Sequence, residues 1–162
     1  MTITQGDTLP NATLIRIGDN GPEPVLLSDK TKGRKVVIFA VPGAFTPTCH
    51  SAHVPSFIRT KDQFDAKGVD EIICLSVNDP HVMKVWGEVT GATDAGITML
   101  SDPESTFTTE IGMNFSAPPA GLIARSKRYA MLVENGKVTL LHKELGRGVC
   151  EVTAGEGLLA AM

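Results

Sequence analysis

The chain places one cysteine, Cys49, where an apolar run gives way to the start of a helix. Residues 36–41 are apolar throughout and predict a buried strand, which Pro42 and the glycine after it should end. Thr46 suits the position just before a helix and Pro47 suits its first residue, which puts Cys49 in the first turn. Unpaired backbone N–H groups and the positive end of the helix dipole favour a thiolate there. We therefore predict a reactive cysteine rather than an inert, buried one.

Two further cysteines, Cys74 and Cys150, lie far from Cys49 in the sequence. None of the three belongs to a CxxC pair or has the spacing of a metal knuckle, and their odd number argues against a framework of structural disulfides. Cys74 stands between Ile73 and Leu75 on a predicted strand, where it is expected to be a small apolar filler. Cys150 ends a glycine-rich stretch, where we expect more exposure and flexibility.

Length, charge and composition exclude several classes of function. A chain of 162 residues fits one domain, residues 1–162, with a sizeable core. Its 15 Lys and Arg against 18 Asp and Glu give a net charge of −3, which argues against nucleic acid as a partner because no basic block is present. The first residues lack the features of a signal peptide, and no apolar run approaches membrane-spanning length. We therefore expect a soluble, cytoplasmic protein without a membrane partner.

The rest of the chain alternates between strand patterns and helix patterns. In chain order, strands are predicted at 12–17, 25–27, 36–41, 71–77, 97–100, 129–133 and 138–141, and helices from Pro47 to Gly68, from Pro80 onwards, at 105–111 and at 153–162. Pro55 lies inside the first of these helices and should kink it or widen it locally.

This order of elements predicts the fold class. Strand–helix–strand–helix implies a parallel sheet with right-handed crossovers, and Asn135-Gly136 is a strong signal for a hairpin turn. The result is an α/β chain with the plan of the thioredoxin-like fold, in which helices flank a central mixed β-sheet that carries an N-terminal hairpin. A fold of this kind hosts many activities and does not by itself define a function.

The segment from Pro42 to Phe57 resembles the active-site segment of the peroxiredoxins, and within them the type II, or peroxiredoxin 5-like, branch. Residues 6–10, 74–80 and 127–131 agree as well, so the resemblance covers nearly the whole chain and is weakest in the last twenty or so residues. It implies that the P-x-x-x-T-x-x-C motif carries the peroxidatic cysteine.

Four residues take catalytic roles from this resemblance. Cys49 becomes the peroxidatic cysteine, with Thr46 and Pro42 as its motif partners. Arg128 matches the family's distant active-site arginine, although the residues alone would not rank it above Arg125 or Lys127. In the implied chemistry, Thr46 donates its hydroxyl, Arg128 supplies positive charge beside the sulfur, and Pro42 shields the site from water.

The implied activity is a thiol peroxidase that reduces hydrogen peroxide and alkyl hydroperoxides through a sulfenic acid on Cys49. The enzyme would need no cofactor beyond an external thiol reductant, for which glutathione with glutaredoxin, or thioredoxin, are the candidate donors. Cys74 and Cys150 are candidate resolving cysteines: plant-like members carry one at the position of Cys74, whereas the sequence around Cys150 does not align cleanly with members that carry one near the C-terminus. We favour direct reduction by an external thiol.

Two other functions use the same residues. A thioredoxin-like thiol–disulfide oxidoreductase is disfavoured because Cys49 has no CxxC partner. A metal or thiol sensor would use Cys49 with His50 and His53, but no third or fourth ligand is evident, so we predict no metal site and expect His53 beside the pocket or at a subunit interface.

A homodimer is the implied assembly, since members of this branch usually pair near the active site. Four apolar residues could form a collar around the pocket or a dimer patch, and ordinary core packing is an equal alternative for each: Phe45, Phe115, Leu122 and Ile123.

Overall fold

The computed structural model describes the chain from Met1 to Met162, and its frame is a seven-stranded sheet. The strands are β1 (Thr13–Gly18), β2 (Gly21–Leu26), β3 (Lys35–Val41), β4 (Glu71–Ser76), β5 (Thr98–Ser101), β6 (Asn114–Ala117), β7 (Leu122–Ser126), β8 (Tyr129–Glu134) and β9 (Lys137–Lys143). The helices are α1 (Leu27–Thr31), α2 (Val54–Ala66), α3 (Pro80–Thr90), α4 (Thr106–Glu110) and α5 (Gly155–Ala160), with a π-helical turn at Cys49–His53 and a 3-10 turn at Pro118–Ala120.

The seven strands follow the order β2-β1-β5-β4-β3-β8-β9, and β6 pairs with β7 in a separate two-stranded sheet. Strands β3, β4 and β5 are parallel to one another, whereas β8 pairs with β3 and β9 with β8 in antiparallel fashion. The predicted thioredoxin-like plan, with a central mixed sheet and an N-terminal hairpin, is confirmed. None of the helices has both the length and the apolar composition that a membrane span requires.

Strand β3 is apolar throughout because both faces of the sheet are covered at its centre. Alternate residues from Val36 to Ala40 pack into one apolar layer, and those from Val37 to Val41 pack into the other. Cys49 and Cys74 belong to this second layer together with Phe57 and Trp86. Cys49, which the sequence predicts to be reactive, is therefore packed against the middle of the sheet.

The two predicted hairpins are present. In the second, Asn135 and Gly136 have φ values of 49° and 78°, which is the left-handed pair that a two-residue type I′ turn requires. In the first, β2 runs from Gly21 to Leu26 and thus begins earlier than predicted, because its prolines are tolerated on an edge strand.

Three parts of the prediction differ from the structure. Helix α1 and the β6–β7 sheet have no counterpart in the predicted elements. The last helix spans Gly155–Ala160 rather than 153–162. Its start is displaced because the Thr153 carbonyl is hydrogen-bonded to His53 and not to a helical amide four residues later.

Candidate active site

Cys49 lies in the first turn of a helix, as the sequence predicts. The chain becomes helical at Pro47, and the His50 amide donates to the Thr46 carbonyl at 2.9 Å to close the first turn. The Thr46 hydroxyl donates to the Gly43 carbonyl at 2.6 Å instead of capping a helical amide. That bond fixes the loop between β3 and the helix. It also engages the only proton of the hydroxyl, so the expectation that Thr46 donates in the reaction is wrong in this structure, where its oxygen is free to accept instead.

The helix is widened at the cysteine. Residues Cys49–His53 form a π-helical turn, in which the Val54 amide reaches back to the Cys49 carbonyl. Pro55 follows directly and has neither an amide hydrogen nor room for the carbonyl four residues before it, so a regular α-helical register is disfavoured here. The local widening predicted from Pro55 is therefore confirmed.

The sulfur of Cys49 is buried and lies beside a buried cation. Cys49 is 1 % exposed and Arg128 is 2 % exposed, and Arg128 Nη2 donates to Cys49 Sγ at 3.1 Å. A buried guanidinium at this distance favours negative charge on the sulfur. Arg125 instead donates to the Pro42 carbonyl at 3.3 Å, and Lys127 is exposed, so of the three neighbouring cations Arg128 alone contacts the sulfur.

Arg128 is held from two other directions. Its Nη1 donates to His53 Nδ1 at 3.0 Å, and its Nη2 also donates to the Arg147 carbonyl at 2.9 Å. These bonds leave the guanidinium little freedom to turn away from Cys49. Its Nε is buried without a partner, which leaves one donor unsatisfied.

His53 is a neutral connector between Arg128 and the C-terminal region. Its ring is fully buried, and Nε2 lies 2.9 Å from the Thr153 carbonyl. Because a carbonyl only accepts, the proton is on Nε2 and Nδ1 is free to accept from Arg128. Burial, followed by the positive charge of Arg128, lowers the pKa of His53 to about 3. The sequence placed His53 near the pocket, and its role as a partner of Arg128 emerges only from the fold.

A carboxylate that the sequence did not identify fixes the other end of this chain of contacts. Glu144 Oε1 accepts from the Glu151 amide and from both the amide and the hydroxyl of Thr153, at 2.6, 3.0 and 2.9 Å. Burial opposes its ionisation, but these hydrogen bonds hold the pKa of Glu144 below its usual value. Hydrogen bonds thus run from Glu144 through Thr153, His53 and Arg128 to Cys49.

The mouth pocket, as we call the cavity lined in part by the residues just before Cys49, has a volume of about 280 Å³. Three predicted site residues line it, namely Pro42, Thr46 and Arg128. Leu122 lines it from β7 and Arg147 from the segment after β9. This segment is tied to the helix because the Thr48 hydroxyl donates to the Gly148 carbonyl at 3.1 Å. The fold thus brings together residues that are far apart in the sequence.

The candidate resolving cysteines occupy different environments. Cys74 is fully buried on β4, where burial and then the nearby Cys49 raise its pKa. Cys150 is less exposed than predicted, because it is partly buried and its Sγ lies 3.9 Å from Thr153 Oγ1. Burial raises its pKa as well. All three cysteines are unpaired thiols, and neither Cys74 nor Cys150 makes a hydrogen bond to Cys49.

The two histidines of the Cys49 helix have other partners than a metal ion. His50 Nδ1 accepts from Trp86 Nε1 at 3.0 Å, and its ring stacks on Phe45. Both nitrogens of His53 are engaged, as described above. The structure contains no group of three or more His, Cys, Asp and Glu side chains placed to hold a metal ion.

Comparisons with known proteins identify chains that are similar in sequence and in overall fold. The Redoxin family model matches residues 4–154. Peroxiredoxin-2E-2, chloroplastic, from Oryza sativa subsp. japonica is 45 % identical over 99 % of this chain and 73 % of its own length. The crystal structure of reduced Prx3 in complex with H2O2 from Vibrio vulnificus has a TM-score of 0.92 at 46 % identity, over 99 % of both chains. Peroxiredoxin 5 from Alvinella pompejana has a TM-score of 0.84 at 30 % identity, over 98 % of this chain and 97 % of that one.

Proposed function

The chain belongs to the Redoxin family as a type II peroxiredoxin, a thiol-dependent peroxidase, and on that premise we propose that Cys49 is the thiol that reduces the peroxide. The observation that carries this proposal is the 3.1 Å contact between Arg128 Nη2 and Cys49 Sγ beside the mouth pocket. A cation beside a buried sulfur compensates its negative charge, and the thiolate is the nucleophilic form of a cysteine.

The proposed first step is attack of the Cys49 thiolate on one peroxide oxygen. The S–O bond forms as the O–O bond breaks, and the departing hydroxide or alkoxide takes from solvent the proton that Cys49 released on ionisation. The products are water or alcohol and the sulfenic acid of Cys49. Arg128 stabilises the developing negative charge from its fixed position. The Thr46 hydroxyl oxygen accepts a hydrogen bond from the O–H of the peroxide, because its own proton is donated to the Gly43 carbonyl. Pro42, a buried residue of the pocket lining, limits the entry of water.

The proposed substrates are hydrogen peroxide and alkyl hydroperoxides, and the proposed donor is an external thiol: glutathione with glutaredoxin, or thioredoxin. The Vibrio vulnificus relative, described in complex with H2O2, supports a small peroxide as substrate. We propose that no cofactor other than the thiol takes part.

Assembly and location complete the proposal. A homodimer is supported by exposed apolar side chains near the mouth pocket, Phe45 and Ile123 among them. A cytoplasmic location stays a prediction, since the matched relative from Oryza sativa is chloroplastic.

The test compares three variants: Cys49→Ser, Cys74→Ser and Cys150→Ser. Each is mixed with one equivalent of hydrogen peroxide and a sulfenic acid trap, and the labelled residue is identified by mass spectrometry. We expect the label on Cys49 in the wild type and in the variants at Cys74 and Cys150, and no label in Cys49→Ser. Labelling at position 74 or 150 while Cys49 stays silent would show that the proposal is wrong.

A further inference from the structure

A second cavity lies beside the mouth pocket and shares one wall with it. This side cavity also has a volume of about 280 Å³, and Arg128 and Arg147 line both cavities. Lys127 and Phe115 form other parts of its lining. Arg128 Nη2 contacts both Cys49 Sγ and the Arg147 carbonyl, so the shared wall is in direct contact with the reactive sulfur.

The side cavity carries an excess of positive charge. Lys127 and Arg147 are both exposed, and neither forms a salt bridge within the chain. The one carboxylate of the lining, Glu144, has its Oε1 engaged by three donors from Glu151 and Thr153. Two unpaired cations at the edge of a cavity attract an anionic ligand and raise its local concentration.

We propose that the side cavity binds the carboxylate end of a small anionic thiol of the glutathione class, which then reduces the oxidised Cys49. This inference rests on the proposed function. Lys127 and Arg147 hold the carboxylate, and the thiol extends past Arg147 into the mouth pocket. The two cavities together fall within the range of about 300–1,000 Å³ of small-molecule sites, so they suit a peptide-sized donor better than either cavity alone.

The reaction that this site serves is balanced with two donor molecules. The sulfur of the first thiol attacks the sulfenic sulfur of Cys49, an S–S bond forms, and the hydroxyl leaves with the thiol proton as water. A second thiol attacks the donor sulfur of this mixed disulfide, which releases the oxidised donor and returns Cys49 to the thiol. The side cavity acts in the first of these steps, because it positions a donor next to the oxidised sulfur.

The experiment reverses the charge at Lys127, which makes no contact with the sulfur. Lys127→Glu is compared with Lys137→Glu, a matched exposed lysine at the turn end of the β8–β9 hairpin. Wild type and variants are oxidised with one equivalent of hydrogen peroxide. Rapid-quench mass spectrometry then gives the rate constant of sulfenic acid reduction by glutathione, by neutral 2-mercaptoethanol and by cationic cysteamine.

We expect Lys127→Glu to lower the rate constant of reduction by glutathione about three- to tenfold. The rate constant with 2-mercaptoethanol should stay within twofold of the wild type, and the rate constant with cysteamine should increase. Lys127→Gln should give a smaller effect with the same order of donors, and Lys137→Glu should give none. Added salt should shrink the difference for glutathione, because the cations are exposed.

Equal changes for all three donors, or no change for any, would overturn the inference. The inference would also be overturned if thioredoxin or glutaredoxin reduced the oxidised wild type and glutathione alone did not. Failure of the wild type to form a sulfenic acid on Cys49 would instead overturn the proposed function, so the two failures are distinguishable. The rate of the peroxide step, measured in each variant, reports whether Lys127→Glu is correctly folded.

Discussion

At the scale of single residues, the position of Arg128 depends on partners that bear no charge. His53 offers a neutral nitrogen to Nη1, and the Arg147 carbonyl takes one bond from Nη2. Neither of these two partners carries a negative charge that would compete directly with Cys49 Sγ for the guanidinium. A carboxylate in the place of His53 would compete with the thiolate for the same cation.

Replacing Arg128 by Gln should lower the second-order rate constant for hydrogen peroxide by about 10²–10³, the loss typical when one preorganised donor is removed from a transition state. The measurement is competition for peroxide at pH 7, with circular dichroism to establish the fold. Arg125→Gln is the matched control, because Arg125 contacts the Pro42 carbonyl and not the sulfur. A wild-type rate in Arg128→Gln would refute the assignment and direct attention to Arg125.

His53 should make the protein less stable in acid. Its pKa is about 3 in the folded chain against 6.5 as the reference value, so below pH 6.5 the unfolded chain binds a proton that the folded chain does not. The stabilisation is complete above pH 6.5 and is lost, at about 1.4 kcal/mol per pH unit, as the pH falls towards 3.

The free energy of unfolding should decrease between pH 7 and pH 5 in the wild type. We expect this decrease to be smaller by about 2 kcal/mol in His53→Gln. Gln keeps an N–H that can donate to the Thr153 carbonyl but does not titrate. Urea unfolding at the two pH values measures the difference. Parallel losses in both proteins would mean that His53 does not titrate as the structure indicates.

At the scale of elements, local sequence patterns were sufficient to predict each element whose own residues carry the signal. The apolar run of β3, the Thr46-Pro47 helix start and the Asn-Gly turn of the β8–β9 hairpin all follow from neighbouring residues. Pro55 likewise predicts the local widening of the helix that the structure shows as a π-helical turn. Helix α1 and the β6–β7 sheet have no such pattern, because the first has five residues and the second is interrupted by Pro118 and Pro119.

The site required long-range information in addition. No feature of residues 125–128 distinguishes Arg128 from its cationic neighbours, and only the family resemblance selected it. The fold does distinguish the two, since Arg128 is buried against the sulfur while Lys127 is exposed and makes no contact with it. Glu144 and the Arg147 carbonyl reach the site because the segment after β9 folds back towards it. The hydrophobic periodicity of the sequence does not reveal the path of that segment.

The elements that carry Cys49 and Cys74 also resist a bond between them. Cys49 lies in a hydrogen-bonded helical turn and Cys74 in the centre of β4, and both are packed in one apolar layer. A disulfide needs Cα atoms within about 7 Å and suitable side-chain directions. Forming it otherwise would break backbone bonds worth about 1 kcal/mol each and expose packed surface.

Turnover should therefore survive in the double variant Cys74→Ser, Cys150→Ser when glutathione with glutaredoxin is the donor. Steady-state peroxide consumption tests this, together with mass spectrometry of the peroxide-treated wild type. The contrary result is a dominant linkage of Cys49 to Cys74 or Cys150 in the wild type, with activity lost in the corresponding single variant. That outcome would make an internal disulfide an obligatory step.

At the scale of the whole molecule, two large apolar side chains are exposed on the surface near the mouth pocket. Phe45 is 49 % exposed and Ile123 is 60 % exposed. Phe45 has a φ of 64°, a conformation that costs a bulky residue energy, and this directs its ring towards His50 and Trp86 and leaves its outer half open to solvent. An aromatic side chain held in this way is suited to an interface.

We expect the protein to sediment as a homodimer at micromolar concentration, and the double variant Phe45→Glu, Ile123→Glu to sediment as a monomer. Two charges placed in an apolar contact would have to be desolvated without partners, which costs more than a contact of ordinary size recovers. Leu26→Glu is the matched control, because Leu26 is 43 % exposed at the end of β2 on the edge of the sheet. Sedimentation velocity measures the assembly, and the peroxide step reports whether the monomer keeps an intact pocket. A monomeric wild type, or a dimer that persists in the double variant, would show that this surface does not pair two chains.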